Sequence, residues 1–341
     1  MATITVKNIN DKNIWENFIS QYPEANFLQS WSWGEFHQNL GATIFRTGFF
    51  QDEKLAGVML SIVEKAKRGR YLTVPGGPIL NWDNQELVDH FVQQLKKLAQ
   101  IQKCVFVRVR PQLIANTFAK ELFSSHGFIN SPMHLHAELT VQLNLTQSEG
   151  ELLKQMRKNT RYEIKKAESI GIEITTSQKP DSIKDFYNLQ IITAKRHHFV
   201  PFSFGFLHEQ FRVFARNQQA LLYQASLKGQ VLAQAMVIFC GSEAVYHYGA
   251  STEAGRKYPG SYLIQWEAIK EAKKRGIRRY NLWGVSPLNQ TKHRFYRISL
   301  FKRGFGGEEI EYLHAQDLVI NRVGYWVNYL VETIRKIIRG L

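Results

Sequence analysis

Cysteine is nearly missing from this chain of 341 residues: there are two, Cys104 and Cys240. No disulfide framework and no cysteine zinc site can be built from them. Each sits inside an apolar, strand-like run and reads as a small buried hydrophobe of a reducing compartment. Long hydrophobic runs are missing too. No apolar stretch approaches 18 residues, and the opening Met1-Ala2-Thr3-Ile4-Thr5-Val6-Lys7 lacks the charged-then-apolar pattern of a signal peptide. The expected location is the cytoplasm, with attachment to a membrane surface as the other option. What the chain does have is material for a core. Its 44% hydrophobic, 13% aromatic and 21% charged residues exclude global disorder, and its length predicts roughly two domains.

Acids are outnumbered, 29 against 44 Lys and Arg, for a formal net charge of +15. Residues 1–150 hold 14 basic and 13 acidic residues, whereas residues 151–341 hold 30 and 16. A basic surface confined to one half predicts a polyanionic partner there, such as nucleic acid, a diphosphate substrate or an anionic membrane. Its sharpest part begins at the capping box Ser148-x-x-Glu151 and is expected to run as one helix to Gly171. Leu152, Leu153, Met156, Ile164 and Ala167 recur at helical spacing as the buried face. Lys154, Lys158, Arg161 and Lys165 form a row of cations with Arg157 beside it. Such a row is fit to neutralise phosphates, or simply to be solvated.

A strand–turn–strand–helix–strand order occurs twice. In the first copy Ile44–Phe50 and Leu55–Leu60 flank the turn Gln51-Asp52-Glu53-Lys54; in the second, Leu221–Ser226 and Val231–Met236 flank Leu227-Lys228-Gly229-Gln230. Both read as hairpins. Each is followed by a helix-like run (Glu86 to Ile101; Tyr262 to Arg275) and a buried strand (Val105 to Val109; Tyr280 to Trp283). The fold class expected is therefore α+β, and the order resembles two tandem GNAT acyltransferase domains, residues 1–145 and 146–317, with a substrate cleft between the duplicated units. The segment 318–341 carries an apolar stripe, Val323, Trp326, Val327, Leu330, Val331, Ile334, Ile337 and Ile338, with Arg335 and Lys336 near its end. The stripe is expected to dock on domain one. The cations and Trp326 make interfacial membrane contact its other reading.

Five collinear blocks then match one family: Phe27-Leu28-Gln29-Ser30-Trp31-Ser32-Trp33-Gly34-Glu35-Phe36, Pro75-Gly76-Gly77-Pro78, Met156-Arg157-Lys158-Asn159-Thr160-Arg161, Tyr246-His247-Tyr248-Gly249-Ala250-Ser251 and Phe301-Lys302-Arg303-Gly304-Phe305-Gly306-Gly307. Together they resemble the FemABX peptidyltransferases over nearly the whole chain. The resemblance implies tandem GNAT-like domains and transfer of an amino acid from aminoacyl-tRNA to the stem-peptide amine of a peptidoglycan precursor. Both implied partners, aminoacyl-tRNA and a UDP-linked or lipid-linked muramyl-pentapeptide, are phosphate-rich, which fits the charge asymmetry.

By the same resemblance, Phe301 and Lys302 fall on the aromatic–lysine pair at the reaction centre, where a fixed cation would stabilise the oxyanion of a tetrahedral intermediate. Arg196 matches an arginine that binds the precursor diphosphate. Tyr246 and Tyr248, alternate residues of one strand and so expected on the same side, match tyrosines of the precursor channel, and Trp33 helps to shape it. Two positions depart from the family: His37 stands where a lysine touches the precursor phosphate, and Arg110 stands where an aspartate was considered as a base. No general base is assigned.

No coiled-coil hairpin is expected between Gly150 and Val200, since Gly171 and Pro180 break the helical pattern. The turn Arg256-Lys257-Tyr258-Pro259-Gly260-Ser261 has one glycine where an acetyl-CoA loop generally wants two, so no resident cofactor is expected. Adjacent His197 and His198 project differently with no carboxylate nearby, so no metal is expected either. Two rival readings remain, an acyl-CoA- or aminoacyl-tRNA-dependent N-acyltransferase acting on another amine, and a non-catalytic protein that binds RNA or a membrane surface.

Overall fold

The computed structural model describes residues 3–197 and 200–339, with the side chains of His197 and Arg339 outside the description. The His197–His198 pair therefore lies outside the described residues. The chain opens with β1 (Ile4–Asn8), α1 (Lys12–Ser20) and α2 (Trp31–Asn39), followed by β2 (Thr43–Gln51), β3 (Lys54–Ala66), β4 (Gly69–Pro75) and β5 (Ile79–Leu80). After α3 (Gln85–Ile101) come β6 (Cys104–Arg110), α4 (Thr117–Ser125) and β7 (Phe128–Asn130). A second series follows: β8 (Leu139–Asn144), α5 (Glu149–Gln155), α6 (Lys158–Ser169), β9 (Glu173–Ser177), α7 (Ile183–His197), α8 (Phe204–Arg216), β10 (Ala220–Leu227) and β11 (Gln230–Cys240). It continues with β12 (Glu243–Ser251), α9 (Gly260–Lys274), β13 (Arg279–Gly284), α10 (Tyr296–Arg303) and β14 (Glu308–Glu311), before β15 (Gln316–Val319) and α11 (Arg322–Arg339) end the chain.

These elements form two compact units, Met1–Glu138 with Glu311–Leu341, and Leu139–Ile310. The division falls upstream of 145/146 and 317/318 because β8 pairs with β13 of the second sheet, while the amide of Leu313 bonds Leu113 and β15 inserts between β6 and β7 of the first. The first sheet has the order β1-β2-β3-β4-β6-β15-β7, with β5 on β3, and the second β14-β8-β13-β12-β11-β10-β9. The repeated order is visible in both. A hairpin (β2–β3; β10–β11) is followed by a third antiparallel strand (β4; β12), a helix (α3; α9) and a strand parallel to the third (β6; β13). Both hairpins turn with left-handed backbone at their central residues, Asp52-Glu53 and Lys228-Gly229, the turn geometry whose twist matches that of paired strands.

Each sheet buries its own core. In the first unit Leu87, Phe91, Leu95 and Leu98 of α3 pack on Leu72, Val74, Val107 and Val109. In the second, Leu263, Ile264, Ala268 and Ile269 of α9 pack with Tyr223, Leu232, Val237 and Tyr280. Cys104 and Cys240 are buried free thiols.

Two expectations are corrected. The helix begun by the Ser148–Glu151 capping box breaks at Met156-Arg157, which take extended backbone. There the amide of Arg157 donates to the carbonyl of Gly304 at 2.9 Å, a partner far along the chain. The C-terminal stripe does not dock. The helix packs on the first sheet through Tyr325 and Asn328, both buried, and leaves Val323, Trp326, Leu330 and Ile337 exposed.

Candidate functional site

The second unit holds a polar cluster that fixes α10. Ser299 and, one helical turn on, Lys302 and Arg303 are all buried and bond the last residue of β13 or the segment after it. Ser299 Oγ accepts from the amide of Ser286 at 2.8 Å, Lys302 Nζ donates to the carbonyl of Gly284 at 2.7 Å, and Arg303 donates to the carbonyl of Ser286 at 2.7 Å. Arg303 also forks onto both carboxylate oxygens of Glu309 at 2.7 Å. The strand distorts where it meets this cluster. Its register against β8 shifts between Asn281 and Gly284, and Trp283 sits at φ 63°, a left-handed conformation costly for an aromatic residue. The side-chain oxygen of Asn281 accepts from the Trp283 amide at 2.8 Å and holds the kink. Its result is a carbonyl aimed at Lys302.

Burial pushes the Lys302 ammonium down to about 7, because desolvation penalises the charged form. Its Nζ lies 5.6 Å from the centroid of the Tyr246 ring. Burial likewise raises Tyr246 to about 12, so that phenol is a neutral donor at physiological pH. Phe301 packs edge-on against Tyr262 at 4.9 Å and Phe305 at 5.3 Å. Gly304 lies so close to Thr160 that a Cβ there would overlap its hydroxyl, which joins two of the collinear sequence blocks in space.

Tyr246 and Phe301 border a cavity of about 480 Å³, whose other walls come from β11, α7, α9 and the 291–298 segment. Three arginines line it, Arg196, Arg294 and Arg297, and among the described residues no carboxylate does. Arg196 donates to the hydroxyl and carbonyl of Ser251 at 3.1 and 3.3 Å and stands 3.8 Å from Glu253. Gln234 and Gln265 add amides to the wall. An enclosure of this size and charge suits a small anionic ligand or the anionic end of a larger one.

The structure gathers Phe301, Arg196 and Tyr246 on the wall of this cavity, with Lys302 next to Tyr246 but not on the wall, and Tyr248 departs. Tyr246 stands opposite Val237 and Tyr248 opposite Met236, so His247 is an extra, bulged residue. A bulge breaks the two-residue alternation and turns the two tyrosines to opposite faces. Tyr248 packs on Phe202 at 5.3 Å and Phe186 at 6.5 Å, which corrects the shared-side expectation. Trp33 and His37 belong to the first unit, on α2, which Ser30 caps by accepting from the Trp33 amide at 3.1 Å. Trp33 is buried against Phe27 and Phe36, and His37 meets its ring at 4.9 Å. Burial holds His37 near 4, so its imidazole is neutral. Arg110, where a base was sought, is a buried arginine that donates to Gln112.

Of the cation row, Lys154, Lys158 and Lys165 are exposed. Arg161 is half-buried, and its Nη1 donates to the carbonyls of Leu153 and Lys154 at 3.3 Å and to that of Met156, closing the C-terminal end of α5. Sequence reasoning passed over Arg294 and Arg297. Their signal was present in Lys292-His293-Arg294-Phe295-Tyr296-Arg297, where cations interleave with aromatics.

Comparison with known proteins adds to this geometry. The sequence matches the profile of the FemAB family over residues 11–127, 123–229 and 207–333. It is 22% identical to the aminoacyltransferase FemA of Staphylococcus aureus, over 90% of this chain and 94% of that protein. The fold is similar to the crystal structure of FemX, with a TM-score of 0.86 at 17% identity over 95% of this chain and 99% of that one. It is also similar to a tandem GNAT protein from the clavulanic acid biosynthesis pathway, with a TM-score of 0.60 at 8% identity over 94% and 98% of the two chains. The two units are thus tandem GNAT-like units in an α+β chain.

Proposed function

The chain belongs to the FemAB family, and on that premise we propose that it works as an aminoacyltransferase of peptidoglycan bridge formation, moving an amino acid from aminoacyl-tRNA to the stem-peptide amine of a muramyl-pentapeptide precursor. One arrangement carries the reading: a buried lysine, fixed on the Gly284 carbonyl, beside a cavity with three arginines and no described carboxylate. In this reaction the amine nitrogen attacks the ester carbonyl, whose oxygen takes up negative charge. The tetrahedral intermediate then collapses to an amide, expelling the ribose oxygen of the tRNA, which receives the proton the amine gives up. Lys302 in its ammonium form would stabilise the oxyanion. Tyr246 would hold a neutral hydroxyl near it, and Phe301 would shape the wall.

Arg196, with Arg294 and Arg297, suits a diphosphate, since a planar guanidinium pairs two phosphate oxygens at once. Lys154, Lys158 and Lys165 offer the tRNA backbone a row of charges. Tyr248, Trp33 and His37 are assigned to acceptor binding on the family resemblance alone: Tyr248 and Trp33 pack on aromatic neighbours, and burial keeps the His37 imidazole neutral. No resident cofactor enters the reaction, because the amino acid arrives already activated as an ester. The donor is a cytoplasmic molecule, so the reading puts the enzyme on the cytoplasmic side of the membrane.

The test offers purified protein, tRNA charged with labelled amino acids, and the nucleotide-linked and lipid-linked precursors in parallel, with transfer followed by mass spectrometry. Transfer is expected to vanish on RNase treatment and to fall by about 10²-fold or more in Lys302→Ala, the scale of losing one oxyanion donor. No transfer from any charged tRNA to either acceptor overturns the reading. Activity with acyl-CoA in its place would assign the other enzyme class.

A further inference from the structure

The C-terminal helix is attached to its own protein by the wrong face for a soluble helix. Tyr325, Asn328 and Glu332 turn toward the first sheet. The Tyr325 hydroxyl donates to Asp317 at 3.0 Å, Arg68 donates to the Asn328 side chain at 2.9 Å, and Arg108 donates to Glu332 at 2.8 Å. On the other side Val323, Trp326, Val327, Leu330, Ile334 and Ile337 are each between 46% and 79% exposed. At 3.6 residues per turn these six fall within a sector of roughly 100°. An 18-residue amphipathic helix normally buries such a stripe; here the polar residues do the docking.

The surroundings of the stripe are positive. Glu332 is the one carboxylate of α11, and Arg108 takes it inward. Arg322, Arg335 and Lys336 lie on the helix itself. The Arg68–Asn328 bond brings the β3–β4 turn alongside, and its Lys65, Lys67 and Arg70 are exposed. Trp326 and Tyr329, with ring centroids 5.3 Å apart, are the amphipathic aromatics that suit a boundary between lipid and water. No helix among the described residues is long and apolar enough to cross a membrane.

We propose that α11 lies in the surface of an anionic bilayer, its apolar stripe among the acyl chains and the cations of α11 and the β3–β4 turn on the lipid headgroups. The alternative occupant, a second copy of the same face, would bring two sets of like charges together with no outward acid on the helix to answer them. The proposal goes beyond the transfer reaction and does not depend on it.

Co-sedimentation of the full chain with phosphatidylcholine vesicles, with and without phosphatidylglycerol, tests it. The protein is expected to bind the anionic vesicles and to leave them as salt is raised. Leu330→Glu/Ile337→Glu alters exposed positions, so an unchanged melting temperature shows that the variant is folded. Its affinity for anionic vesicles is expected to fall at least about tenfold. Lys65→Gln/Lys67→Gln should reduce the preference for anionic vesicles by about fivefold per cation. Absence of binding to anionic vesicles, or binding unchanged in the Glu pair, overturns the proposal. So does a dimer in sedimentation velocity that the Glu pair dissolves while vesicles bind nothing, which would assign the stripe to a second copy.

Discussion

Lys302 and Gly284 meet at 2.7 Å, ammonium to carbonyl, across a kink that Trp283 holds in left-handed backbone. The lysine is tethered and desolvated, and its value falls from 10.5 to about 7. Its positive form is therefore complete only below that pH and is lost as pH rises through about 7. If that charge stabilises the oxyanion, kcat/KM should carry a descending limb near pH 7. Lys302→Arg, charged throughout, should remove the limb even where the rate itself drops. Folding works against a buried ammonium at every pH below the ordinary value of 10.5, most strongly below 7. Lys302→Met should thus raise the melting temperature at pH 6 while lowering transfer by about 10²-fold. A variant both inactive and destabilised at pH 6 would refute that assignment.

The cation row separates into two roles that salt can distinguish. Lys154→Gln/Lys158→Gln/Lys165→Gln removes exposed charges, and should flatten the dependence of log affinity for tRNA on log salt by roughly 2–3, at about 0.7–0.9 for each phosphate no longer neutralised. Its melting temperature should hold. Arg161→Ala withdraws the donor from the last carbonyls of α5, and should cost about 1–3 kcal/mol of stability with little change in salt slope. Filter binding and thermal unfolding of the two variants decide the matter.

What could be read from the sequence was local, and what could not was set from a distance. The hairpins, α3, α9 and the two buried strands follow from alternation and helical spacing within a few residues, and all are present. The break at Met156-Arg157 depends on a carbonyl of Gly304 that no local pattern announces. The separation of Tyr246 from Tyr248 depends on one bulged residue, His247, which simple alternation does not foresee. The stripe of α11 is plain from its spacing, but the side on which it docks is decided by Arg108, Asp317 and Arg68, on other elements. Lys302 and Arg303 stand in a block of family resemblance; the carbonyls of Gly284 and Ser286 that they bond do not, because backbone groups leave no trace in residue type.

Arg108 ties three elements together. It forks onto Asp317 at 2.8 and 2.9 Å and reaches Glu332 of α11 at 2.8 Å, with Asp317 wholly buried. Arg108→Met leaves that carboxylate in the interior without its cation and should destabilise the protein by about 3–5 kcal/mol. It also removes the bond that holds Glu332. Hydrogen exchange should accelerate along α11 more than along α9, which belongs to the other unit. Equal acceleration in both helices would mean that the loss is global and that Arg108 does not anchor α11.

Gln29 explains why the first two sequence blocks travel together. Its amide nitrogen donates to the carbonyls of Pro75 and Leu60 at 2.8 and 3.2 Å, and its amide oxygen accepts from the amide of Leu60 at 2.8 Å. The side chain is fully buried, so it stands in for water that cannot reach these backbone groups. Gly77 lies against it, and a Cβ there would overlap the Gln29 amide. Gln29→Ala should cost at least about 1–3 kcal/mol, the penalty of one buried polar group left without a partner. Gln29→Glu keeps the volume and an acceptor for the Leu60 amide but removes both donors, and should be worse than Ala at pH 8, where its carboxylate would be ionised. Because protonation restores a donor to Glu, that gap should narrow as pH falls toward 5. Urea unfolding of both variants at the two pH values measures it, and a gap that does not change with pH would show that Gln29 acts by filling space and not by bonding.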